Sequence, residues 1–117
     1  MFEFIHDDKY DIREALLELK KATREYQEAR WNMMVKQRAN LNAMRDFEIA
    51  TANDLVTSGG QLLNADNIRM TGVLKHPELR NRWVMADADS IDATAQMEVA
   101  KATLDAVMSA VNALAKT

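Results

Sequence analysis

Cysteine is absent from this sequence, which excludes a disulfide framework and a thiolate metal site and leaves the redox compartment unmarked. One proline and three glycines in 117 residues leave few places where a helix is obliged to stop. Aromatic residues are scarce at 6%, and β-branched residues are thin. The remainder is rich in Ala, Leu, Met, Glu, Lys, Arg and Gln, which lose little on entering a helix. No apolar run approaches the ~20 residues of a membrane span. The segment from Met1 to Asp11 carries Glu3, Asp7, Asp8 and Asp11 and lacks the basic region and apolar stretch of a secretory signal. These absences predict an all-α, soluble, cytoplasmic chain with no membrane contact, and the length predicts a single domain.

What is present is a seven-residue repeat. From Leu79 the positions Trp83, Ala86, Ser90, Ala93, Met97, Ala100, Leu104, Val107, Val111 and Leu114 follow in alternating steps of four and three, with no Gly or Pro between them. That is the pattern of a coiled-coil helix, which requires a partner. A first helix has a matching seam in Ile12, Ala15, Leu19, Ala22, Tyr26, Ala29 and Met33. Beyond Met33 the apolar line moves to Met34, Gln37, Leu41 and Met44, which predicts a stutter with looser packing or a third element. Ser58-Gly59-Gly60 ends the helix, and Pro77 suits the first turn of the next one. The expected fold is an elongated antiparallel helical hairpin. It comprises an N-terminal arm (1–10), a long helix (11–57), a short connecting helix (61–75) with interruptions near Asn64 and Gly72, and a second long helix (77–115).

Catalytic chemistry finds few candidates. His6 and His76 are far apart and belong to no His-x-x-x-His or Glu-x-x-His pair, so surface or capping roles are expected of both. Asp87, Asp89 and Asp92 read as a solvated acidic face, and nothing in the sequence raises the pKa of one carboxylate beside another. Gly59-Gly60 lacks the Lys-Ser/Thr pair and preceding strand of a phosphate loop. The sequence therefore predicts no enzyme, no metal, no cofactor and no small-molecule substrate. Most of the eight methionines lie on or beside the seams, where flexible thioethers fill gaps.

Charge is distributed unevenly. The net charge is −3, yet Lys20, Lys21, Arg24, Arg30, Lys36, Arg38 and Arg45 face only Glu25 and Glu28 between Lys20 and Arg45. The second long helix is acidic, which favours pairing of the two. Arg24, Trp31, Arg38 and Arg45 recur every seven residues, with Lys20 one turn before Arg24. Trp31 lies two residues past Ala29, a rotation of ~200° that turns it away from the seam. Guanidinium groups along a helix can track phosphates, and an indole among them can stack a base of any identity. The same residue types also serve protein interfaces, so a solvated stripe with Trp31 in an oligomer contact is the competing reading.

The layout of "EYQEARWNMMVKQRANLNAMR", then "LLNADNIRMTGVL", then an Ala- and Asp-rich helix opening "PELRNRWVMADAD" resembles small helical bacteriophage proteins of the UvsY recombination-mediator type. The closest local likeness is Asn64-Ala65-Asp66-Asn67-Ile68-Arg69. The resemblance implies a homo-oligomer in the bacterial cytoplasm that binds single-stranded DNA and helps a recombinase load. The candidate DNA-binding residues are then Lys20, Arg24, Trp31, Arg38 and Arg45. Two other classes remain open: a structural coiled-coil subunit of an assembly, and an acidic inhibitor of a host enzyme or defence system.

Overall fold

The computed structural model describes residues 8–57, 72–73 and 75–116. These residues form two long helices, α1 (Asp8–Thr57) and α2 (Pro77–Ala115), and no strand occurs among them. The contacts between α1 and α2 are those of an antiparallel helical hairpin, and they fall into two compact units. One unit joins α1 up to Met33 with α2 from Ala93, and the other runs from Met34 to Asp92. Asp8, Lys9 and Tyr10 are already helical, so α1 takes in residues expected to belong to the arm. The turn at Ser58–Gly60, most of the expected connecting helix and the rest of the arm lie outside the described residues. Gly72, expected to interrupt that helix, is itself helical.

In the first unit every expected seam position of α1 from Ala15 to Met33 is buried or half-buried, and so is every one of α2 from Ala93 to Leu114. Ile12, at the start of the expected seam, is 38% exposed. The deepest members are small, Ala22 and Ala93. Alanine at these positions lets the two backbones approach closely, and the bulk of Leu104, Val107, Val111 and Leu114 fills the seam towards the end of α2. Two threonines turn their hydroxyls back onto their own helix, Thr23 Oγ1 to the Leu19 carbonyl at 2.8 Å and Thr103 Oγ1 to the Val99 carbonyl at 3.1 Å. Neither hydroxyl then needs a partner across the seam.

The second unit corrects the expected stutter. From Met33 the seam of α1 continues in unbroken steps of three and four through Lys36, Asn40, Ala43, Phe47, Ala50 and Asp54, all half-buried or buried. Of the shifted line expected from sequence, Met34, Gln37 and Leu41 are exposed and Met44 is half-buried. The packing period was kept and the apolar line was not, because a helix without insertions holds its phase against its partner whatever side chains occupy it. Polar residues in the seam find specific contacts. Asn40 Nδ2 donates to Asp87 Oδ1 at 3.2 Å, while Asn40 Oδ1 is buried without a hydrogen-bond partner.

Towards its far end the second unit gains an aromatic centre. Phe47, 4% exposed, lies with its ring centroid 5.6 Å from that of Trp83 at a tilt of 41°, and the Arg80 guanidinium sits 5.0 Å from the Trp83 ring. Thr51 is buried, with Oγ1 donating to the Phe47 carbonyl at 2.8 Å. Gly72 closes over this pair. A Cβ at Gly72 would lie 2.4 Å from Thr51 Oγ1 and 2.8 Å from Phe47 Cζ, so the backbone there comes as close as it does only because no side chain intervenes.

His76 separates this helical turn from α2. Its N–H donates to the Gly72 carbonyl at 2.8 Å and its carbonyl accepts the Arg80 N–H at 3.0 Å. Pro77, the first residue of α2, sits where a missing N–H costs nothing, and Glu78 follows in the first turn, favourable to the positive end of the helix.

Candidate nucleic-acid interface

All five residues expected to bind DNA are exposed. Within the first unit, Arg24 and Trp31 occupy the row of α1 farthest from the seam and Lys20 an adjacent row, as their offsets from Leu19, Ala22 and Ala29 require. Trp31 is 67% exposed. An indole left so open can meet a planar ligand, and Arg24 lies two helical turns before it on the same row. A shallow depression on α1 is lined by Leu16, Lys20, Thr23 and Arg24. The stems of Lys20 and Arg24 therefore run beside apolar surface while their charges reach water.

Within the second unit, Arg38 and Arg45 hold the row of α1 farthest from its seam there and flank a shallow depression with Met34, Gln37, Leu41 and Asn42. Met34, Gln37 and Leu41, assigned from sequence to a shifted seam, thus lie beside the two arginines instead. Cation and apolar side chain alternate along one face, a surface able to take a phosphate and the face of a base side by side. Its geometry is set by α1 alone, so the residues need no loop to hold them in line.

Two features of this chemistry were missed in the sequence. Lys36 enters the seam, half-buried, and so does not belong with the exposed cations near it. His76 does more than start a helix: Nε2 donates to Asp54 Oδ2 at 2.5 Å, with both side chains about a quarter exposed. The unbroken seven-residue ladder from Phe47 to Asp54 was the signal that would have placed Asp54 on the packed face. His6 lies outside the described residues. We expect His76→Ala and Asp54→Ala to lower the unfolding free energy by similar amounts. Their double-mutant cycle should give a coupling of about 1 kcal/mol, and additive losses in urea titrations would show the contact to contribute nothing.

Among the described residues no group of three or more His, Asp or Glu is placed to hold a metal ion, and no described helix is long and apolar enough to cross a membrane. No protein-family model, no curated protein and no solved structure matches this chain.

Proposed function

We propose that the protein is a non-enzymatic accessory factor of recombination, which binds single-stranded DNA as a homo-oligomer and aids loading of a recombinase in the bacterial cytoplasm. The observation that carries this reading is Trp31, 67% exposed on the outer row of α1 with Arg24 two turns before it. A large aromatic left in water is costly unless something covers it, and a base offers a flat surface of matching size. Lys20 and Arg24 in the first unit, and Arg38 and Arg45 in the second, supply the sequence-independent attraction to phosphate. The overall charge of −3 opposes binding by one copy. Association of several copies would concentrate the basic rows and let individually weak contacts add. The recombinase and the phage context rest on the sequence resemblance alone.

A second reading, an interaction coiled coil with no affinity for DNA, draws on the exposed apolar residues of α2, among them Met85, Ile91 and Val99. Gel shifts with labelled oligothymidine over a salt series separate the two. For a DNA-binding protein the affinity falls steeply with salt, and Arg38→Ala with Arg45→Ala flattens the log–log slope by ~0.7 for every phosphate that is no longer neutralised. Trp31→Ala removes stacking of about 1–3 kcal/mol per base. No shift at low salt, or an unchanged slope in the double arginine variant, moves the reading to the interaction protein.

A further inference from the structure

We propose that a single strand of DNA follows one side of α1 in the first unit, with Arg13, Lys20 and Arg24 on its phosphates and with Leu17 joining Trp31 as a platform for its bases. The inference rests on the DNA reading above and adds to it the path of the strand and two residues, Arg13 and Leu17. In this unit Leu17, Arg24 and Trp31 each lie two residues from a seam residue in both directions, which sets them on the crest of α1 opposite the seam. One shoulder of the crest holds Arg13, Lys20 and Gln27, and the other holds Glu14, Lys21 and Glu28, all of them exposed. The two shoulders are equally open to water, and they differ in charge.

The acids of this unit are segregated. Glu14, Glu18, Glu25 and Glu28 come one residue before the seam residues Ala15, Leu19, Tyr26 and Ala29, and so line one side of α1 alone. Glu98 and Asp105 stand on α2 one residue past Met97 and Leu104, beside the seam and off the crest of α1. The crest and the shoulder of Arg13 and Lys20 therefore carry no acid. Among the described residues none of Arg13, Lys20 and Arg24 is held in an ion pair, so each charge can meet a phosphate without breaking a contact. The shallow depression lined by Leu16, Lys20, Thr23 and Arg24 lies on this same shoulder and gives the strand's backbone a concave seat. A strand shifted to the other shoulder would find Lys21 alone, set between Glu14 and Glu28, and would be repelled at both ends. Leu17 is 63% exposed, an apolar side chain left in water on the crest and ~21 Å before Trp31 along the helix. That separation lets the two serve different bases of one strand. An unpaired base seated on Leu17 covers it as one seated on Trp31 covers the indole.

Gel shifts of the full chain with labelled oligothymidine over a salt series test the path. Arg13→Gln should weaken binding and flatten the log–log slope by ~0.7, the share of one phosphate. Lys21→Gln removes the same charge from the opposite shoulder of the same helix and should leave the slope as in the parent. Leu17→Ser should weaken binding several-fold at every salt concentration with the slope unchanged, and, at a position open to water, with helicity by circular dichroism unchanged. A slope that Arg13→Gln leaves as it was, equal flattening by Lys21→Gln and Arg13→Gln, or a Leu17→Ser variant that binds like the parent would each overturn the path while the parent still shifts the probe, and the DNA reading would stand without it. A parent that gives no shift at low salt overturns both, so failure of the path and failure of the DNA reading are told apart.

Discussion

Ala93→Glu is expected to cost the protein several kcal/mol and, in a hairpin of this size, to leave little cooperative unfolding transition. Ala93 is 2% exposed, the lowest value among the buried apolar residues described, at a point where small side chains allow the helices to approach closely. A glutamate there has two unfavourable choices. It can remain in the seam, where the carboxylate loses water, or it can force the helices apart and expose the apolar residues on either side. Breaking the solvation of a buried charge in this way costs on the order of 3–5 kcal/mol, a large share of the 5–15 kcal/mol that stabilises a typical domain. Ala100→Glu occupies the same seam but a half-exposed position, from which the longer side chain can reach water, so its penalty should be smaller. Thermal melts that place Ala93→Glu at or above Ala100→Glu in stability would show that the close contact is not at Ala93.

The difference between the two helices explains how much of the fold was legible. In α2 all eleven seam positions read from the sequence are buried or half-buried, because its packed face happens to be apolar or small throughout. In α1 the apolar line coincides with the seam from Ala15 to Met33 and then follows Met34 and Leu41 off it. Hydrophobicity marks the face that packs only when a helix has one apolar face, and the second half of α1 has two. Its true seam carries Lys36, Asn40 and Asp54, tolerated because Asp87 and His76 on the other side of the hairpin give the last two a partner. Those partners are 47 and 22 residues away, a separation that no local pattern reveals. The outward direction of Trp31 needed only an offset of two residues from Ala29, and was legible for that reason. Its exposure then narrows what it can do without naming the ligand, since a base and a neighbouring protein surface would each cover it.

Phe47→Ala is the second change expected to have a large effect, and its interaction with Gly72 makes it informative beyond its size. Phe47 is the one large apolar side chain among the described residues that is buried, at 4% exposed. It meets Trp83 on α2 and lies beneath Gly72. Truncation removes the ring and leaves a cavity between Trp83 and Gly72, a loss of about 3–5 kcal/mol. Gly72→Ala acts in the opposite sense, by overfilling: its Cβ would come within 2.8 Å of Phe47 Cζ and 2.4 Å of Thr51 Oγ1, and the strain should cost about 1–3 kcal/mol. The double variant should be more stable than the sum of the two losses allows, because removing the ring vacates part of the space that the new methyl needs. Compensation should remain incomplete, since Thr51 keeps its hydroxyl on the Phe47 carbonyl at 2.8 Å and still crowds the methyl. Adding Thr51→Ala should then recover more of the loss. Strict additivity of Phe47→Ala and Gly72→Ala in urea unfolding would mean that Gly72 does not rest on the ring, and that the end of the hairpin is closed by other contacts.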